Sequence, residues 1–215
     1  MAKKRSLALW QTYGLDAVLS ASEPFKQEKE ARLSVQLGKA VSLKLVRKTD
    51  DDLTHLMRIE EASFEPEYRF STNEMLDVMS YPDFAGFYIC VEDVPVGFIN
   101  HESRGRGSRA NFYISNIAVD PKYRGQGFGS ALIELLEQQV QFEGASRITL
   151  HTMNITRNRA FYQSLGFEER GIVRGYYAEA KGTTLESDAV FYEKRFLKKP
   201  KLHAVISSSN HQTPD

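Results

Sequence analysis

A mixed α+β fold, with a central sheet of about six to seven strands and about four flanking helices, follows from three observations on this 215-residue chain. Short segments of alternating apolar and polar residues read as strands, and longer segments with apolar residues three and four apart read as helices. Their order is one strand, two helices, three strands, then helix, strand, helix and two strands. A meander of three consecutive strands requires antiparallel neighbours, which sets the chain apart from a doubly wound parallel fold.

Residues 1 to about 40 carry little periodicity and form an extension, with "SASEPFKQEKEARLS" read as a loop followed by a short polar helix. "VSLKLVRK" alternates from Val41 as the first strand. In "TDDDLTHLMRIEEASF", Leu53, Leu56, Met57 and Glu60 recur at helical spacing behind Thr49 or Asp50 as N-cap. "STNEMLDVMS" opens with Ser71 and Glu74 spaced as a capping box and reads as the second helix. "GFYICVED" and "VPVGFINHES" are strands joined by a tight turn, and "ANFYISNIAV" is a third. A helix runs through about Phe142 and stops at Gly144. Strand "SRITLHTM", helix "TRNRAFYQSLG", strand "FEERGIVRG", a loop and strand "SDAVFYEKRF" complete a domain spanning 41–197. The segment 198–215 reads as a polar tail, and no internal repeat occurs.

Composition narrows the class of function. Lys and Arg number 28, as do Asp and Glu, so no global field attracts nucleic acid or an anionic membrane, and neither is expected as a partner. Cys90 is the sole cysteine and can form neither an internal disulfide nor a thiolate metal cluster, and no metal is expected. Its neighbours "FYICVE" alternate as a buried strand does. "MAKKRSLALW" begins like a secretory signal, but Gln11, Thr12, Gly14 and Asp16 interrupt the apolar run, so a cytoplasmic location is expected.

"VDPKYRGQGFGSALIELL" places glycines 125, 127 and 129 between a strand and a helix. Free N–H groups at the positive end of a helix suit a phosphate, and glycine permits close backbone approach. The dinucleotide fingerprint fails because Ser130 stands where its third glycine belongs, and the P-loop fails for want of a lysine. Arg-x-x-Gly-x-Gly, carried by Arg124, Gly127 and Gly129, is the pattern that fits; an ordinary glycine-rich turn is the alternative.

"NIAVDPKYRGQGFGSALI" followed by "NRAFYQSLGF" at 158–167 resembles the GNAT superfamily of acetyl-CoA-dependent N-acetyltransferases. The resemblance implies the GNAT fold, acetyl-CoA as co-substrate, and acetyl transfer directly to a primary amine. It places the pyrophosphate on Arg124, Gly125, Gln126, Gly127, Phe128, Gly129 and Ser130, and the pantetheine along Ile117, Ala118 and Val119. Asn154 or Asn158 takes the family's asparagine position. Tyr162 becomes the acid for the departing sulfur, since a phenol of pKa about 10 stays protonated beside a thiol of about 8.5. Within that pair of aromatics Phe161 is expected to be the core residue.

His151 falls where protein N-terminal acetyltransferases carry a base, and Tyr113 where some carry a tyrosine that shares the role. A histidine on a solvated strand face is the alternative, with Glu60 and Glu61 as further candidate bases. "SFEPEYRF" and "GYYAEAKGTTLESDAV" resemble the ribosomal-protein alanine type of these enzymes, which implies that Phe64, Tyr68, Tyr176 and Tyr177 contact the acceptor. Glu65 departs from that group, whose usual residue there is proline. The expected acceptor is a protein or peptide α-amine. A polyamine, an aminoglycoside or an amino acid is the alternative, as is a non-catalytic coenzyme-binding module docked through residues 1–40. A monomer or homodimer is expected.

Overall fold

The computed structural model describes residues 16, 19–105, 107–177 and 188–196. Helix α1 (Glu23–Leu37) precedes strand β1 (Val41–Leu45), helices α2 (Asp50–Ser63) and α3 (Thr72–Ser80), and strands β2 (Phe84–Val91), β3 (Val94–Arg104) and β4 (Asn111–Val119). Helix α4 (Phe128–Phe142), strand β5 (Arg147–Met153), helix α5 (Thr156–Ser164), and strands β6 (Glu168–Val173) and β7 (Ala189–Arg195) follow. The seven strands form one sheet in the order β1-β2-β3-β4-β5-β7-β6, antiparallel at every junction but β4–β5. The α+β class, the strand count and the element order are those the sequence predicts. The tail 198–215 and most of the late loop, 178–187, lie outside the described residues.

Local chemistry explains the boundaries. Thr49 caps α2, accepting from the Asp52 N–H while Asp52 accepts from the Thr49 N–H, and Ser71 with Glu74 repeats the arrangement on α3. Glu92 and Asp93 take φ values of +50° and +66°, which gives the β2–β3 hairpin a turn matched to the right-handed strand twist. Leu132, Leu135, Leu136 and Val140 on α4 enter the larger core with Phe112, Ile148 and Tyr192 from the sheet. On the opposite face, Leu56 and Ile59 of α2 and Met75 of α3 cover Tyr88, Cys90 and Phe98. Cys90 is wholly buried, as its alternating neighbours predict.

The expected short polar helix in the extension is α1, and it belongs to the packed unit. Leu33 is 1% exposed within the larger core. Ser34 Oγ accepts from the Val41 N–H at 2.9 Å and Glu30 Oε1 from the Leu43 N–H. These bonds occupy two of the outward N–H groups of the edge strand, which would otherwise offer a template for another chain.

Two irregularities in β4 shape the site. Asn100 pairs with Asn116 and His101 with Ile114, so Ser115 is an extra residue, a bulge that bends the strand. Pairing of β4 with β5 runs from Asn111–Arg147 to Ile114–Leu150 and ends there. Beyond it the two strands part, leaving an opening between them.

Candidate active site

A cavity of about 810 Å³ lies along the last residues of β4, bounded by the α4 N-terminus, α5 and the segment after α2. Ile117, Ala118 and Val119 line it, as do Arg124, Gly125, Gly127, Phe128, Gly129 and Ser130. The first bond of α4 runs from the Ala131 N–H to the Gly127 carbonyl, and no side chain caps the helix. The N–H groups ahead of Ala131 are therefore left for a ligand at the positive end of the helix.

Gly125 and Gly127 have φ of +76° and +85°, backbone that L side chains rarely adopt. Gly129 makes room in a different way. A Cβ there would stand 3.2 Å from Phe161 Cζ, so the Phe161 ring would have to give by a few tenths of an ångström. Arg124 holds the framework: its Nε donates to the Val119 carbonyl at 2.9 Å and its Nη2 to the Ser63 carbonyl at 2.8 Å. Burial and then the neighbouring Arg157 charge lower its pKa, so positive charge concentrates at this end of the cavity.

Tyr162 lines the cavity from α5 and is 6% exposed, set among Phe161, Phe167 and Tyr192. Here the expectation for the aromatic pair reverses: Tyr162 is the core residue and Phe161 is only partly buried. Of the nine residues of α5 it is Tyr162 that turns inward, because the helix lies against β7 at Tyr192. Asn158 Nδ2 donates to Thr152 Oγ1 at 2.9 Å, and Thr152, Asn158 and Tyr162 line the cavity together. Burial drives the Tyr162 pKa well above its ordinary value, so the phenol stays protonated.

Of the two asparagines, Asn158 lines the cavity, whereas Asn154 accepts from Arg159 Nη1 at 3.0 Å and does not. Gln126 also stands off the lining and donates to the Lys122 carbonyl. Thr152, Arg157 and Phe161 line the cavity without having been predicted as site residues. Thr152 follows from strand periodicity, since it faces opposite to His151; Arg157 and Phe161 follow from no sequence signal.

His151 and Tyr113 are brought together on the other face of the sheet. Tyr113 Oη lies 3.3 Å from His151 Nδ1 and 3.2 Å from Tyr176 Oη. The His151 ring is stacked between Tyr176 and Phe191, with centroids at 4.6 and 4.9 Å. Burial lowers the His151 pKa, which keeps the imidazole neutral, and raises that of Tyr113. His151 is the first residue of β5 past the last pair with β4, so it stands at the opening.

Phe64 and Tyr68 line the cavity, and Tyr68 also meets Tyr177 edge-on at 6.4 Å. Tyr177 in turn touches Tyr176, so an aromatic chain runs from the cavity to His151. Neither Glu60 nor Glu61 lines the cavity. Glu61 is exposed, and Glu60 is buried with its oxygens bonded to the Phe70 N–H and Asn116 Nδ2. Among the described residues, no cluster of His, Cys, Asp and Glu is placed to hold a metal ion, and no helix is long and apolar enough to cross a membrane.

Comparison with known proteins matches this framework. The [ribosomal protein bS18]-alanine N-acetyltransferase of Escherichia coli K12 is 34% identical over 96 residues, which is 40% of this chain and 65% of that protein. The chain thus spans just under two thirds of the length of the curated relatives it matches there. An uncharacterized N-acetyltransferase of Methanocaldococcus jannaschii is 28% identical over 190 residues, 83% of each chain. The crystal structure of the E. coli enzyme shares the fold with a TM-score of 0.62 at 23% identity, covering 75% of this chain and 97% of that one. Arabidopsis thaliana Naa50, in complex with the bisubstrate analogue CoA-Ac-MVNAL, gives 0.60 at 24%, covering 73% and 99%. The acetyltransferase (GNAT) family model matches residues 51–167, more than half of the chain, and the protein belongs to that family.

Proposed function

We propose that this protein transfers the acetyl group of acetyl-CoA to the α-amine of a protein or peptide N-terminus, with residues 41–197 as the catalytic domain and α1 as its buttress. The observation that carries the reading is the two-sided site: a phosphate-suited cavity with Tyr162 on one face, and the Tyr113–His151–Tyr176 cluster on the other, meeting at the β4–β5 opening. GNAT enzymes use acetyl-CoA, and the cavity fits it: uncapped N–H groups and two arginines at one end, apolar strand residues along its length, and a protonated phenol among the lining residues.

Acetyl-CoA supplies a thioester carbonyl for the amine to attack and a thiolate to leave. The chain's residues manage two protons. Tyr162 donates its phenolic proton to the departing sulfur. On the other side Tyr113 accepts a proton from the amine as it passes its own to His151 Nδ1; its raised pKa excludes a free phenolate and favours this concerted relay. The acceptor nitrogen must be neutral to attack. A base as weak as His151 suits an α-amine of pKa about 8 far better than a lysine of about 10.4. The aromatic residues Phe64, Tyr68, Tyr176 and Tyr177 supply walls for the first residues of a peptide.

The test is a panel. Incubation with acetyl-CoA and peptides of differing N-terminal residue, with thiol release and peptide mass followed, gives N-terminal acetylation. Turnover of polyamines or aminoglycosides with none on any peptide rejects the reading. One observation favours that second outcome: the Glu65 carboxylate lines the cavity and has no ion-pair partner among the described residues, which suits a cationic acceptor.

A further inference from the structure

Glu60 is a carboxylate that the proposed mechanism does not use, and it is 1% exposed. Burial of an acidic group is costly unless hydrogen bonds replace its water. Its two oxygens meet two partners from separate elements. Oε1 accepts from the Phe70 N–H at 2.9 Å, at the far end of the segment that carries Phe64 and Tyr68. Oε2 accepts from Asn116 Nδ2 at 2.8 Å, on β4 directly after the Ser115 bulge and directly before Ile117, where the strand begins to line the cavity. One side chain on α2 thus ties the Phe64–Phe70 segment to the strand at the place where β4 has parted from β5.

We infer that Glu60 is a positioning residue: it fixes the acceptor wall carried by residues 64–70 against the bent part of β4, so that acceptor and donor meet in register at the opening. The role of that wall rests on the proposed function; the tie itself does not. Arg124 makes the matching tie three residues further on, from its guanidinium to the Ser63 carbonyl and back to Val119. The segment is therefore anchored at both ends, at Ser63 by Arg124 and at Phe70 by Glu60, leaving Phe64 and Tyr68 between fixed points. A proton-accepting role is disfavoured by the same geometry, because each oxygen already holds an N–H and neither lines the cavity.

Three variants of the full chain test this. Glu60→Gln keeps an oxygen for the Phe70 N–H, and its amide can pair with Asn116 once that side chain rotates by a half turn, so both bonds survive without a proton acceptor. Glu60→Ala removes both, and Asn116→Ala removes one at a half-buried site and keeps the test open where Glu60→Ala does not fold. Hydrogen exchange over residues 64–70 is the first readout, with no acceptor needed: it speeds up by about tenfold or more in the alanine variants and stays near wild type in Glu60→Gln. Kinetics with an alanine-initiated pentapeptide is the second. Glu60→Ala raises its KM by about tenfold, with kcat and the acetyl-CoA KM each within about threefold, and Glu60→Gln restores it with an unmoved pH profile. Unchanged exchange in both alanine variants overturns the tie. A collapse of kcat in Glu60→Gln, with loss of the acidic limb of the profile, overturns the positioning role and makes Glu60 the base. Faster exchange in the variants of an enzyme that turns over polyamines and no peptide leaves the tie standing and rejects the peptide reading alone.

Discussion

The two faces of the β4–β5 opening are built from different material. On the proposed donor side the groups offered for binding belong to the backbone: N–H groups from Gly125 to Ser130, the uncapped start of α4, and three strand residues in a row. Side chains there mostly make room or brace, as Gly129 does for Phe161 and Arg124 for Ser63. On the acceptor side the surface consists of side-chain rings, contributed by β4, β5, β7, the segment after α2 and the loop after β6. A backbone site changes little when side chains drift. A ring site changes with every substitution, which is how one donor mechanism can serve different amines.

That contrast breaks first at Tyr162. It belongs to the donor side, yet its proposed role rests on a side-chain atom, and Tyr162→Phe is expected to lower kcat by about a hundredfold while both KM values stay within about threefold. Thiol release under saturating substrates measures it. Equal losses in kcat and donor affinity would instead make the hydroxyl a binding group. His151→Ala comes next, with kcat/KM down by about thirtyfold at pH 7. Its pH profile is more informative than its size. As pH falls below the α-amine pKa of about 8, log kcat/KM declines with slope one, because less acceptor is neutral. Below the His151 pKa, which burial holds under 6.5, the base protonates as well and the wild-type slope becomes two. The variant keeps slope one throughout; an unaltered slope of two would place the base elsewhere.

The same contrast decides what could be read before the fold was known. The donor loop is one contiguous stretch, Arg124 to Ser130, so its spacing in sequence is its spacing in space. The capping box at Ser71 is equally local and was legible to the residue, whereas the cap of α2 was narrowed only to Thr49 or Asp50. Whether Asn154 or Asn158 enters the cavity was not, because it depends on where α5 starts: at Thr156 the helix turns Asn158 toward Thr152 and leaves Asn154 to Arg159. The inversion of Phe161 and Tyr162 has the same origin, since the packing of α5 against Tyr192 sets which ring is buried. Tyr68 reaching Tyr177 joins residues more than a hundred positions apart, and only the folded sheet brings them together. The core place of Leu33 likewise needs α1 to cross β1 and α4, which its polar sequence does not announce.

Tyr68→Ala sharpens the acceptor side. It removes both a cavity wall and the edge-on contact with Tyr177, so the acceptor KM is expected to rise by about tenfold. The acetyl-CoA KM should hold within about twofold. A rise in the donor KM of similar size would mean that Tyr68 serves the pantetheine, and that the aromatic chain is continuous with the donor site in function as well as in contact.

Arg157 gives the smallest and most discriminating effect, because it is the place where the donor side relies on a side-chain charge. Arg124 is committed to two carbonyls, whereas Arg157 lines the cavity exposed, with no ion pair among the described residues. Burial and then the Arg157 charge depress the Arg124 pKa, and both residues line the cavity, so a phosphate bound there would gain from each. Arg157→Ala is expected to raise the acetyl-CoA KM by about fivefold at low ionic strength, with the effect shrinking as salt screens an exposed pair. The acceptor KM and kcat should not move. Repeating the titration with 3′-dephospho-acetyl-CoA separates the phosphates: if Arg157 meets the 3′-phosphate, variant and wild type bind that donor equally, and if it meets the pyrophosphate the fivefold gap persists. An acceptor KM that rises instead would carry Arg157 across the opening, and the division between a backbone-built donor side and a ring-built acceptor side would fail at that exposed charge.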